Sequence, residues 1–180
     1  MIRHLTAKDF TVMPWANGRG QTVEMWREAR DGALQWRLSR ATVVEDGDFS
    51  LFPGIDRNLT VIDGPGFDLV GFDRIGAGHL DGGGRLAARL LQPVEFAGDV
   101  QVRAEGVVAP CEDFNVMVRR GVIRAKVTVG VAGRVTGAVF ALGTVQVGPL
   151  RLARHELVLA DEEVAFSGLA LAVAWHPFYT

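Results

Sequence analysis

The sequence predicts an all-β protein built from a duplicated barrel unit, and three observations carry that reading. Glycine supplies 22 of the 180 residues, well above the usual share of about 7%, and valine is abundant beside it. Turn dipeptides punctuate short apolar or alternating runs along the whole chain. A weak repeat relates LTVIDGPGFDLV (59–70) followed by ARLLQPVEFAGDVQVRAEG (88–106) to AVFALGTVQVG (138–148) followed by RLARHELVLADEEVAFSG (151–168). Each pair reads as strand, turn, strand, then a strand entering an acidic turn and another strand, as one duplicated unit would. Many short strands with regular turns indicate sandwich or barrel architecture.

Taken in order, residues 6–10 (TAKDF) predict one helical turn capped by Thr6, with Asp9 at the capping-box offset. No later segment has the 3.6-residue period of a long helix. Gln21–Trp26 and Gln35–Ala41 alternate with period two and predict strands. Asn58–Ile62, Phe67–Phe72, Leu86–Leu91, Val94–Phe96, Val100–Ala104 and Asn115–Val118 follow. The last third contributes Ala125–Val129, Ala138–Leu142, Thr144–Val147, Arg151–Leu159, Val164–Phe166 and Ala170–Trp175. Asn17-Gly18, Asp31-Gly32, Asp63-Gly64, Pro65-Gly66, Gly82-Gly83-Gly84, Ala97-Gly98-Asp99 and Gly148-Pro149 supply the turns. The join between halves is expected near 121–135, with one barrel over about 1–120 and a second over about 121–180, strands being exchangeable between them.

Composition narrows the function. Net charge is −2, which leaves no electrostatic footprint for nucleic acid. The apolar runs are too short to span a bilayer, and residues 1–10 have no apolar leader core, so no membrane partner is expected and the cytoplasm is the expected compartment. Cys111 is the one cysteine, which rules out an intrachain disulfide. Lysine occurs twice, so arginine carries nearly all the positive charge, and its planar fork suits carboxylates.

WANGRGQTVE (15–24) contains a G-x-G that could cradle a phosphate or make a turn into a strand. A dinucleotide loop needs a preceding strand, a following helix and a third glycine; a P-loop needs Gly-Lys-Ser/Thr. The period-two run Thr22-Val23-Glu24-Met25-Trp26 follows instead, so the turn is preferred.

The polar strand faces are more informative. Thr22 and Glu24 share a face, as do Arg37 and Ser39, and as do Asn115 and Met117. Any one such face could simply meet water. Together they are forked or short hydrogen-bonding groups, such as would line a barrel and bind a small polar anion. Arg37, Arg57 or Arg119 could hold a carboxylate through paired N–H donors, while Asn17, Thr22 and Asn115 could read an amide or formyl group. No H-x-H or H-x-x-x-H occurs among His4, His79, His155 and His176, so no metal is expected. No G-x-S-x-G elbow exists, and the acids after Cys111 would raise its thiol pKa, so no nucleophile stands out. Glu24 and Asp113 could form an acid–base pair; orienting arginines or backbone amides is the other role open to them.

Four segments then resemble a known family: MPWANGRGQTVE (13–24), WRLSRA (36–41), DGDFSLFPGIDR (46–57) and DFNVMVRRG (113–121). In order and spacing they are similar to the HutD/Ves family, associated with bacterial histidine utilisation. The resemblance runs through the first two thirds of the chain. It implies a bicupin, two small jelly-roll-like β-barrels in one chain, and a cupin without metal or other cofactor. It implies binding of N-formylglutamate or a related intermediate of histidine breakdown and regulation of that pathway; the Ves branch is linked instead to stress. The family motif W-K-N-G-G-G is altered here by Ala16 and Arg19. The implied ligand-binding set is Trp15, Asn17, Gly18, Thr22, Glu24, Arg37, Ser39, Phe52, Arg57, Asp113, Phe114, Asn115 and Met117, with Gly54 and Asp56 assigned to a turn. A metal-independent hydrolase or isomerase, with Glu24 or Asp113 as base, and a plugged interaction module are the alternatives. A homodimer is compatible with the apolar C-terminal strands.

Overall fold

The computed structural model describes residues 1–15, 20–71 and 84–177. The chain divides into two compact units, Val12–Val122 and a second composed of Met1–Thr11 with Ile123–Thr180. The described residues form β-strands and one short 3-10 turn, and no helix among them is long and apolar enough to cross a membrane. The bicupin expectation holds: each unit is an all-β body with its own apolar core.

The Val12–Val122 unit holds two sheets. One orders β2 (Thr11–Pro14), β3 (Gln21–Arg30), β4 (Ala33–Val43), β11 (Cys111–Arg119), β6 (Ile55–Asp63) and β9 (Val94–Ala97). The other orders β5 (Gly47–Asp48), β10 (Val102–Glu105), β7 (Phe67–Gly71) and β8 (Arg85–Ala88). Period-two alternation turns Val43, Leu59, Val61 and Cys111 inward, where they meet Phe67, Leu69, Phe96, Val100 and Val102. Full burial of each such aliphatic or aromatic side chain contributes roughly 1.5–3 kcal/mol. The strand expected over 67–72 is described as far as Gly71, and the one expected over 86–91 ends at Ala88, with an isolated bridge at Leu90 and a positive φ of 59° at Leu91 beyond it.

The second unit is one sheet of β1 (Ile2–Leu5), β12 (Ile123–Ala141), β13 (Val145–Val147), β14 (Leu150–Leu152) and β15 (Leu157–Pro177). Residues 137–140 of β12 pair on one side with 157–160 and on the other with 171–174 of β15, so this stretch lies between two parts of the same long strand. Val139, Val145, Val147, Leu152, Val158 and Phe166 fill the interior. Two corrections to the sequence reading fall here. The strands expected at 125–129 and 138–142 are parts of one strand, and those at 164–166 and 170–175 are both parts of β15. The single strand expected over 151–159 is broken after Leu152, where His155 takes φ 72° and donates its N–H to Ala141 O at 2.7 Å. Residues 1–11, grouped by sequence with the first half, join this unit through β1, which pairs Ile2–Leu5 with Leu157–Ala160. The turn at 7–9 forms as expected, with Thr6 N–H donating to Asp9 Oδ2 at 2.8 Å.

Candidate functional site

The site is built from the middle of the six-stranded sheet. In register, Met117 of β11 lies between Arg37 of β4 and Arg57 of β6. One step along, Asn115 lies between Ser39 and Leu59, and beyond it Asp113 lies between Ala41 and Val61. On β3, Thr22 pairs with Ala41 and Glu24 with Ser39. Side chains directly opposite one another sit about 5 Å apart, so these residues form one continuous patch. Thr22, Arg37, Ser39, Ala41, Arg57, Asn115 and Met117 of this patch line a cavity of about 380 Å³, bounded also by Trp15, Val43, residues 44–50 and Phe52. That volume lies within the range of small-molecule sites, about 300–1,000 Å³.

The G-x-G question is answered by what surrounds it. Trp15 N–H donates to Gly20 O at 2.9 Å, and β3 follows at once, so the segment joins two strands. Gly20 is required there, since a Cβ would lie 2.6 Å from Thr42 O and 2.7 Å from the Trp15 ring. The Trp15 indole donates to Thr22 Oγ1 at 2.9 Å, which leaves the Thr22 proton available to an acceptor in the cavity.

The two arginines play different parts. Arg57 is buried, and its guanidinium carbon lies 4.9 Å from the Phe96 ring centroid, 5.2 Å from Phe49 and 5.4 Å from Phe52. Its Nη2 donates to Asn115 Oδ1 at 3.0 Å and its Nη1 to Ser50 O at 3.4 Å. Desolvation brings its pKa down to about 10, with Asp113 supporting the charge and Arg37 opposing it, so it stays a cation at neutral pH. Arg37 is held differently: its Nε lies 2.6 Å from Glu24 Oε2 and its Nη1 3.9 Å from Met117 Sδ. A thioether is a weak acceptor, so the Nη face of Arg37 keeps most of its donor capacity.

Behind these groups, Asn115 Nδ2 donates to Asp113 Oδ1, while Asp113 Oδ2 is buried without a hydrogen-bond partner. Burial pushes the Asp113 carboxyl up to about 7; Arg57 works against that rise and Glu112 adds to it. The acids near the mouth are engaged elsewhere. Asp46 accepts from Val107 N–H at 2.8 Å, and that bond with one from Gly106 holds its carboxyl below the usual range. Asp48 pairs with Arg103 at 3.3 Å.

Of the residues expected from sequence, Trp15, Thr22, Arg37, Ser39, Phe52, Arg57, Asn115 and Met117 line this cavity. Glu24 does not; it is the counter-ion of Arg37. Asp113 lies beneath Asn115, and Phe114 is fully buried on the opposite strand face, where alternation must put it. Asn17 and Gly18 lie outside the described residues. Sequence reasoning missed the wall formed by Glu45–Ser50 and the Phe49 and Phe96 rings around Arg57. The D-G-D-F-S run was a signal for the first; nothing local to V-E-F marked the second. Among the described residues, no three His, Cys, Asp or Glu side chains converge as a metal-binding group.

With this geometry in view, comparison with known proteins assigns the family. The HutD family model matches residues 7–166. The chain belongs to the HutD family. It is similar to protein Ves of Cronobacter sakazakii, at 34% identity over 137 residues covering 73% of this chain and 71% of that one. It is also 35% identical over 121 residues to an uncharacterised 21.2 kDa protein in the hutC 3′ region of Pseudomonas putida, covering 64% of this chain and 57% of that protein's own length. The solved structure of HutD from Pseudomonas fluorescens SBW25 (formate condition) superposes with a TM-score of 0.84 at 29% identity, covering 99% of this chain and 100% of that one. This HutD family chain is therefore cupin-like, with the polar cavity in its Val12–Val122 unit.

Proposed function

We propose that this HutD family protein binds a small polar carboxylate, N-formylglutamate or a related acid of histidine breakdown, and acts as a cytoplasmic sensor or regulator of histidine utilisation. One observation carries the reading. The Nη face of Arg37 opens on the same cavity as the Thr22 and Ser39 hydroxyls and the caged cation Arg57. Such a wall pairs fixed positive charge with neutral donors, which suits an acid bearing a formamide. The phenyl and indole surfaces of Phe49, Phe52 and Trp15 provide apolar cover for a short methylene chain. The location of the Pseudomonas putida relative in a hutC 3′ region agrees with a place in histidine utilisation. A binding role is preferred to an enzymatic one because neither acid considered as a base lines the cavity: Glu24 is paired to Arg37, and Asp113 lies behind Asn115.

Titration calorimetry with N-formylglutamate, glutamate and urocanate tests this. Formylglutamate is expected to bind most tightly, and Arg37→Ala to weaken it at least about tenfold, the loss of a charge-assisted pair worth roughly 1.5–3 kcal/mol. Absence of both heat and thermal stabilisation with all three acids would overturn the proposal.

A further inference from the structure

The charges around the cavity wall balance in a way that bears on which ligands enter. Arg37 and Arg57 bring two positive charges; Glu24, paired to Arg37, and Asp113, joined to Arg57 through Asn115, bring two negative ones when ionised. With all four ionised this cluster is neutral and has little to offer an anion; the acids Glu45, Asp46 and Asp48 stand apart from it on the cavity's other wall. Glu24 is partly exposed and in direct contact with a guanidinium. Asp113 is different: it has no solvent exposure, one oxygen accepts from Asn115, and the other has no hydrogen-bond partner. An orphan oxygen in such a place is satisfied least well as an anion and is where a proton would sit.

We propose that Asp113 sets the charge of the ligand accepted here: a carboxylate that enters beside Arg37 and Arg57 does so together with one proton, taken from solvent onto Asp113 Oδ2. This rests on the anion-binding reading above. The reason is mutual. With Asp113 neutral the cluster of Arg37, Arg57 and Glu24 carries one net positive charge that matches an incoming carboxylate. Conversely, a carboxylate near Arg57 weakens the support that Arg57 gives to the Asp113 anion, so the bound state holds the proton more firmly. Burial alone already brings Asp113 to the edge of ionisation near neutral pH. The other groups facing it do not supply an alternative proton site. Arg57 on β6 remains a cation, and Arg37 on β4 is held by Glu24. On its own strand, Glu112 points to the opposite face and is ion-paired with Arg40. Burial raises the Cys111 thiol, with Asp113 and Asp63 adding to that, so it stays protonated.

Calorimetry of the full chain with N-formylglutamate, run at one pH in phosphate and in Tris, separates this from simple binding, because a proton drawn from the buffer adds the buffer's ionisation heat. At pH 7 uptake on the order of half a proton per ligand is expected, approaching one at pH 8, with the dissociation constant rising up to about tenfold per pH unit above 7. Asp113→Asn keeps an oxygen to accept from Asn115. It should bind with equal heats in both buffers, a flat pH profile, and tighter affinity than the parent at pH 8. Binding with no buffer dependence in the parent protein overturns the inference and leaves the binding reading intact. Buffer dependence that persists in Asp113→Asn also overturns it, by placing the proton elsewhere. No binding of any of the three acids at any pH removes both.

Discussion

A carboxylate placed fully inside a sheet with one unpartnered oxygen must leave a mark on stability as well as on binding. Asp113 has its folded pKa raised from 3.8 to about 7 by burial. The folded chain therefore holds a proton that the unfolded chain has released between those values. The contribution is fully favourable below pH 4 and is lost as pH rises to 7, at up to about 1.4 kcal/mol per pH unit. Asp113→Asn removes that slope. Urea unfolding of the two proteins from pH 4 to pH 8 should show the variant gaining on its parent through this window; parallel curves would mean that the carboxyl is not raised. At this scale the sequence was partly legible. Alternation put Arg37 with Ser39 and Asn115 with Met117, and both pairs share one cavity. Asp113 belongs to the same strand face as Asn115, yet no pattern announces that Asn115 would cover it. Phe114 was drawn in by the D-F-N-V-M motif, although the two-residue period alone sends it to the other side.

Among the elements, turns were read more reliably than strand ends. Asp63-Gly64 and Pro65-Gly66 join β6 to β7 as their residue types require. Gly66 has φ +86°, and a Cβ there would meet Ala88 O at 2.3 Å. Gly66→Ala should therefore cost about 2 kcal/mol or more, from backbone strain together with the displaced β7–β8 pairing. A melting temperature within a degree or two of the parent would contradict this. Strand ends were less legible because glycines such as Gly130 and Gly137 read as interruptions. In β12 they sit at shifts of register within a continuous strand, which a local window cannot distinguish from a stop. The break after Leu152 was hidden for the converse reason: R-L-A-R-H-E-L-V-L keeps a strand-like composition while His155 adopts a left-handed turn conformation that few side chains favour. Its imidazole stacks on Phe140 with centroids 5.8 Å apart, a contact between residues distant enough in sequence to escape any local pattern.

For the whole chain, the repeat foretold two β bodies, and each has its own core. It did not foretell that one body would be discontinuous, since pairing partners 150 residues apart leave no periodic trace. Ile2–Leu5 edges β15 along Leu157–Ala160, and His4 Nε2 lies 2.8 Å from Glu156 Oε2. Deleting residues 1–5 should speed hydrogen exchange at the β15 amides around 157–160. Exchange unchanged there would show that β1 contributes nothing to the sheet. The same pairing has a consequence in time. At translation rates of about 5–20 residues per second, Ile2–Leu5 emerges on the order of ten seconds before Leu157–Ala160 has been made. The Val12–Val122 unit, which carries the cavity, is synthesised in full well before its neighbour can close, so a ribosome stalled once that unit has emerged would already display a pocket.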